Sequence, residues 1–330
     1  MDVTHTKGGA MKPEYELRLV TKAAHLYWVE QVRQVDIAAR LSLSQAGVSR
    51  LLRRAQKEGI VSISIKPPEG TYHLLEEELA SKLGLDEVVV TSCPDNSDNA
   101  IVSSIGEAAA QYLASTLRES DRVGISSWSS ALVALSEHLP AKGQIKAERV
   151  VQLMGGMSHD RAEHLAENLT LQLANRLAAR PAFMHVAGIA STSDARKVFC
   201  EEPYVRETMA LFDDLTVALV GIGTLAPSQF LARSGNAFSD EELAELAGCG
   251  AVGDVCLRFF DANGQAVSHA LDERVVAISA PSLKKVPRVV GVAGGHQKVA
   301  SIRAAALGGW IQVLITDCFT AEALAEKASL

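Results

Sequence analysis

The stretch QVDIAARLSLSQAGVSRLLRRAQKEGI, residues 34–60, constrains this chain most, because its apolar residues share one side only as two short helices set across a turn. Ile37, Ala38 and Leu41 give the first helix an apolar face. Ser42, Leu43 and Ser44 break the period, and Ser44 stands where a hydroxyl caps the free amides of the next helix. Val48, Leu51, Leu52 and Ala55 form the inward stripe of that second helix. Gln45, Ala46, Ser49 and Arg50 are left facing outward near its start, where a recognition helix meets base edges in the major groove. Arg53, Arg54 and Lys57 follow, suited to phosphates that fix register without reading sequence. The plainer alternative is an amphipathic pair with a solvated basic face. Spacing and charge together favour double-stranded DNA as the partner.

Charge distribution points the same way. Residues 1–66 hold 11 Lys and Arg against 6 Asp and Glu, a net of +5. The whole chain has 32 against 39, so the remainder carries 21 against 33, a net of −12. A basic head on an acidic body directs DNA to one end. Counterion release from that cluster makes the expected binding fall steeply with salt.

With 330 residues, 48% of them hydrophobic, the chain can bury one large core and one small one. Cys93, Cys200, Cys249, Cys256 and Cys318 are scattered without a CxxC pair, which suggests neither zinc nor a disulfide framework and fits a reducing cytosol. Residues 1–13 are polar and Gly-rich and read as a disordered tail, not a signal peptide. No apolar run is long enough to span a bilayer, so a cytoplasmic protein with no membrane partner is expected.

Tyr15 to Gln31 reads as a further helical stretch behind the basic pair, and Ile60 to Lys66 alternates with period two, as in one half of a wing. Pro67, Pro68, Glu69 and Gly70 mark a hinge. The expected organisation is a tail over 1–13, a helix-turn-helix domain over 14–66, a linker over 67–73 and a larger domain over 74–330. Beyond the hinge, strands are expected at Glu87–Thr91, Arg122–Ser126, Arg149–Leu153, Ala182–Val186, Thr216–Gly221, Val252–Phe260, Val289–Ala293 and Ile311–Thr316. Helix-period stretches lie between most of them, which implies a mainly parallel sheet covered on both faces. Its ligand crevice belongs outside the carboxyl ends of the strands.

Four strand ends carry unusual residues. Gly124, Ile125, Ser126, Ser127, Trp128, Ser129 and Ser130 turn a strand into a helix; they suit an anion such as phosphate, and equally a plain Ser-rich cap. Trp128 would stack on a sugar ring or simply wall a pocket. Leu153 to Met157 contains a Gly pair that is weak by itself. Gly221 and Gly223 form half a dinucleotide fingerprint, but the third glycine and the acidic partner are missing, so no nucleotide cofactor is expected. Lys298 lies in the first turn of a helix, where a cation opposes the dipole and implies an anionic partner. Asp261, in Asp-Ala-Asn-Gly, could accept sugar hydroxyls or serve a hairpin turn. Asp317 and Thr320 read as caps of the last helix.

The segments SQAGVSRLLRRAQKEGIV, VALVGIGTL, GAVGDVCLRFFDANG and VAGGHQKVASIRAAALGGWIQVLITD, in that order, resemble the SorC-type sugar-binding transcriptional regulators. The resemblance covers about Tyr15 to Ala325. It implies an all-α winged helix-turn-helix joined to a parallel-sheet α/β effector domain of the sugar-phosphate isomerase/deaminase fold. It further implies a cytoplasmic homodimer or homotetramer that binds operator DNA under control of a sugar, polyol or sugar phosphate. By motif, Gly124–Ser130 matches the phosphate-contacting turn, Asp261 and Lys298 the acidic and basic effector contacts, and Gly221 and Gly223 a loop beside them. One departure stands: the family loop reads Gly-x-Ser-Trp-Gly-x-Thr, and its threonine falls here on Ser130 or on Ala131. The expected role is regulation of a carbohydrate or polyol operon, by default as a repressor. The competing role is an isomerase or deaminase, with Asp261 or Asp254 as base and His185 or His296 as proton shuttle. A third is a DNA-binding oligomer whose large domain only assembles.

Overall fold

The computed structural model describes residues 13–63, 71–156, 164–226 and 238–327. The chain divides into two compact units, Met1–Pro67 and Pro68–Leu330.

In the first unit, α1 (Pro13–Ala24) runs into a π-helical turn at His25–Val29, followed by α2 (Gln34–Leu41) and α3 (Gln45–Lys57). Helix α2 stops because Ser42 turns left-handed at φ 55° while its N–H reaches the carbonyls of Ala38 and Ala39. Two residues on, Ser44 Oγ accepts from Gly47 N–H at 3.1 Å and caps α3. Ala23, Leu26, Ile37, Ala38, Val48 and Leu52 form one small core, and Val20, Ala24 and Ala55 a second. The strand expected over 60–66 is not found over residues 60–63. Val61 N–H instead bonds to Ala55 O at 3.1 Å, and Ile60 and Val61 pack on the Val20–Ala24–Ala55 cluster. Residues 64–66, the Pro67–Gly70 hinge and the tail to residue 12 lie outside the described residues.

The second unit opens with α4 (His73–Leu83), then β1 (Glu87–Thr91), α5 (Asp98–Thr116), β2 (Arg122–Ile125), α6 (Ser130–His138) and β3 (Arg149–Gln152). The helix His164–Arg176 leads to β4 (Arg180–Ala182), and helices Ser193–Glu201 and Pro203–Ala210 lead to β5 (Val217–Val220). After the helix Asp240–Gly248 come β6 (Ala251–Val255), β7 (Arg258–Asp261), β8 (Arg288–Val292), the helix Val299–Leu307, β9 (Val313–Asp317) and the helix Cys318–Lys327. Seven strands form one parallel sheet in the order β1-β9-β8-β5-β2-β3-β4. Residues alternate across it. Val123, Ile125, Val217, Leu219 and Val290 face α5 and α6 through Ile101, Ile105, Leu113, Leu132 and Leu135. Val151, Ala218, Val220, Val289 and Leu314 face the other core, with Leu79, Leu83, Ile302 and Trp310. Both faces are covered, as a parallel sheet requires.

Two strands differ from expectation. The run Val252–Phe260 is an antiparallel hairpin, turning at Cys256 and Leu257, whose φ values are 53° and 60°. Strand β4 ends at Ala182 because the following backbone turns away: Met184 N–H reaches the Gln152 side chain and Val186 O accepts from Gly156 N–H. Helices Ser193–Glu201 and Pro203–Ala210 were not expected from periodicity, and the first has no buried residue. The five cysteines are free thiols. Among the described residues no helix is long and apolar enough to cross a membrane.

From β2 the chain winds outward through β3 and β4; from β5, the neighbour of β2, it winds the other way through β8 and β9. The connections part between β2 and β5, which leaves a crevice at the carboxyl ends of those strands.

Because the Ser44 hydroxyl satisfies an amide at the start of α3, Ser44→Ala should destabilise the first unit by about 1 kcal/mol, whereas Ser44→Asp should not. Amide hydrogen exchange along α3 is the measurement; unaltered protection in Ser44→Ala would show the cap to be idle.

Candidate functional site

On α3, Val48, Leu52 and Ala55 point inward, and Gln45, Ala46, Arg50, Arg53 and Lys57 are exposed. Ser49 is half-buried and accepts from Arg53 Nη2 at 3.2 Å, which holds that guanidinium along the helix. Arg50 and Lys57 make no side-chain hydrogen bond or ion pair among the described residues. Arg54 differs from the others. Its Nε donates to Glu58 Oε1 at 2.7 Å and its Nη1 to Glu16 Oε2 at 2.9 Å, so the guanidinium expected to meet a phosphate already holds two carboxylates.

In the second unit a cavity of about 510 Å³ opens where the sheet connections part. That volume suits a small organic ligand. Its wall is built from strand ends. After β2, Ser126, Ser127, Trp128, Ser129 and Ser130 line it; after β5, Gly221, Ile222, Gly223 and Thr224; after β8, Gly294, Gln297 and Lys298. The start of α5 adds Asp98 and Asn99, and the β6–β7 hairpin adds Asp254, Cys256 and Leu257.

The loops are tied to one another. Ser126 Oγ accepts from Gly221 N–H at 3.1 Å, which joins the turn after β2 to the turn after β5. Ser129 Oγ accepts from Leu132 N–H at 3.4 Å and caps α6. A methyl group at Gly221 would lie 2.8 Å from Ser129 Oγ, and one at Gly223 would overlap Asp254 Oδ1, so both positions need glycine for this close approach. Asp317 and Thr320 accept from Gly295 N–H at 3.2 and 2.7 Å, which fixes the turn before Lys298, and Asp317 also caps the last helix through Thr320 N–H.

Lys298 sits half-buried in the wall, and burial pulls its ammonium below the usual lysine range against the opposing pull of Asp254 and Asp98. Burial pushes the Asp254 carboxyl up to about 6, countered by the Leu257 amide and by Lys298. Asp254 Oδ2 accepts from Leu257 N–H at 2.9 Å and so braces the hairpin turn. The Cys256 thiol is pushed up to about 12, again mainly by burial, which leaves it protonated and inert. Ser127 Oγ is buried with no hydrogen-bond partner among the described residues. A buried hydroxyl left open beside a cavity is a place for a ligand atom.

The expected residues are therefore brought together with two exceptions. Gly124 lies inside β2, where a side chain would strike Leu153 and Leu215 within 3.1 Å; its role is packing. Asp261 lies at the far end of the hairpin and does not line the cavity. Its Oδ1 accepts from Asn263 and Gln265 N–H, both at 2.9 Å, as the turn alternative requires. The acids in the cavity wall are instead Asp254 and Asp98. Of the two positions open to the family threonine, Ser130 lines the cavity and Ala131, on α6, is buried in the core. Neither histidine considered as a proton shuttle reaches the cavity. His185 is exposed and paired with Glu167 at 2.9 Å, and His296 is exposed. Asp98 and Asn99 carried no motif; the signal for them is their place just past the end of β1.

The family described as "Putative sugar-binding domain" matches residues 67–326. The chain is 32% identical over 307 residues to the deoxyribonucleoside regulator of Bacillus subtilis strain 168, covering 93% of this chain and 97% of that protein. It is 31% identical over 316 residues to the sorbitol operon regulator of Klebsiella pneumoniae, covering 95% and 99%. The crystal structure of that full-length regulator, SorC, superposes with a TM-score of 0.72 at 30% identity, over 94% of this chain and 99% of the other.

The elevated Asp254 carboxyl has a signed consequence. The folded chain holds this proton more tightly than the unfolded one, so the group's stabilising contribution is complete below about pH 4 and is lost as pH rises through 6. Asp254→Asn should therefore raise Tm relative to the parent at pH 7.5, with the difference shrinking toward pH 4. A difference in Tm that stays constant across that interval would contradict the buried carboxyl.

Proposed function

This chain belongs to the SorC-type family of sugar-binding transcriptional regulators, and from that premise we propose that it governs a carbohydrate or polyol operon through a small effector held at the sheet crevice. It is a regulator and not a sugar-phosphate isomerase; relatives aligned over nearly their whole length are regulators. The effector class is a sugar, polyol or sugar phosphate, in keeping with the sorbitol and deoxyribonucleoside systems named for those relatives. The observation that carries this reading is a crevice at the parting of the strands that combines Lys298, Asp254 and the open hydroxyl of Ser127. Hydroxyl-rich ligands need that mixture of donors and acceptors, and an anionic group has Lys298 and the α6 amides to meet it.

In the first unit, Gln45, Ala46, Ser49 and Arg50 face base edges and Arg53 and Lys57 face phosphates. A helix-turn-helix domain over 14–66, a linker over 67–73 and an effector domain over 74–330 form the working division. The protein acts in the cytoplasm as a homodimer or homotetramer, so that paired reading helices meet paired half-sites. Effector alters DNA affinity only if it binds the DNA-competent and incompetent states unequally, and release of a repressor by effector is the default.

A thermal-shift screen of sugars, polyols and their phosphates should give a concentration-dependent rise in Tm for one class. Lys298→Ala should lose that rise and the effector response while keeping DNA affinity in its absence. A wild-type response in Lys298→Ala would remove the cavity from the account. On DNA, Arg50→Ala should relax base preference, at about 1–3 kcal/mol, and Lys57→Ala should weaken all sequences alike and lower the salt slope by about 1. Band shifts on selected and scrambled duplexes decide; two variants indistinguishable from the parent would unseat α3.

A further inference from the structure

We infer that Arg54 is a positioning residue of the reading helix: its guanidinium pins α3 to α1 through Glu16 and sets how Arg50 and Lys57 are presented, without itself binding phosphate. This deepens the DNA-binding reading above and rests on it.

The basic cluster of α3 divides into two kinds. Among the described residues Arg50 and Lys57 are exposed with no side-chain hydrogen bond or ion pair, and Arg53 donates to the neutral hydroxyl of Ser49 without an ion pair. Arg54 alone of the four is half-buried and shared between two carboxylates, Glu58 on its own helix and Glu16 on α1, 38 residues away. Glu58 first and Glu16 second raise its pKa above the ordinary arginine value. Two acids around one cation leave that spot net negative, which repels a phosphate.

Position makes the bond matter. The seam between α1 and α3 holds Val20, Ala24 and Ala55, with Leu51, Trp28, Ile60 and Val61 packed on them, and Ala23 beside Val48 and Leu52. Glu16 stands one turn before Val20, and Arg54 adjoins Ala55. Apolar contacts of this kind are non-directional, so they fix the orientation of α3 less sharply than a charged hydrogen bond does. The clamp closes the edge of that seam. Gln45 lies nine residues along α3, about 14 Å away at 1.5 Å per residue. A tilt of about 5° at Arg54 thus moves Gln45 by about 1 Å, comparable with the tolerance of a base-edge hydrogen bond. An ion pair this accessible to solvent contributes little to stability, so its loss is read in DNA binding and not in Tm.

The test uses the full chain and a duplex that the wild-type protein enriches from a random-sequence pool. Arg54→Ala is expected to weaken binding about two- to fivefold with the slope of log affinity on log salt unchanged, whereas Lys57→Ala lowers that slope by about 0.9. The charge exchange Glu16→Arg with Arg54→Glu is expected to recover affinity over Arg54→Glu alone, although it leaves an acid at position 54. Because the exchange also restores the net charge, the salt slope decides: the clamp gives the wild-type slope, whereas a phosphate contact at position 54 leaves the slope lowered. The clamp is overturned if Arg54→Ala lowers the salt slope as Lys57→Ala does, or if the exchange binds no better than Arg54→Glu. Failure of the wild-type chain to enrich any duplex would strike the regulator reading itself, an outcome separate from both.

Discussion

A parallel sheet whose connections run in both directions leaves a crevice at the carboxyl ends of its two diverging strands, because the loops after them lead to opposite sides. In this chain those strands are β2 and β5, and everything chemical in the larger unit is arranged around their ends. The Ser126 hydroxyl accepts from Gly221 N–H across the gap, so the two loops form one surface. Gly223 brings the second loop against Asp254, and the turn held by Asp317 and Thr320 delivers Lys298 to the same space. Topology opens the slot, and a few side chains decide what can enter it.

Keeping the slot polar costs stability, and the packing around it must offset that. Asp254 and Lys298 both lose hydration there, and only partial pairing compensates. Trp128, Cys256 and Leu257 line the same cavity with positive φ, a backbone state that costs roughly 1–2 kcal/mol for a residue with a side chain. The Leu257 amide bonded to Asp254 holds one such turn in place. Two continuous cores, one on each sheet face, supply the rigidity that over-determines these conformations.

The small unit was legible because its determinants are local. Period, break and cap of the helix pair lie within residues 34–60, and Ser44 caps α3 as its spacing requires. Lys298 was legible for a related reason: a cation in a first turn is a local contradiction that a ligand resolves. What failed was whatever depends on distant partners. Asp254 and Asp261 lie in one block, GAVGDVCLRFFDANG, and choosing between them requires knowing where the chain reverses. Cys256-Leu257 carries none of the usual turn chemistry, so the apolar run read as one strand, which put Asp261 at its end. The reversal falls three residues after Gly253 instead, and it turns Asp254 into the wall. Likewise the charge of Arg54 was visible, but not the glutamate 38 residues upstream that engages it.

The open hydroxyl of Ser127 and the strained, half-paired wall also bear on how the protein responds. Under the proposed function, an effector shifts the protein toward whichever state its contacts with this wall favour. A hydroxyl-bearing ligand that satisfies Ser127 Oγ and bridges Asp254 and Lys298 removes part of the cost this state carries alone. Under the proposed function the polar wall of the larger unit is where effector binding acts, and the basic first unit, with its net +5 over residues 1–66, supplies general attraction to DNA.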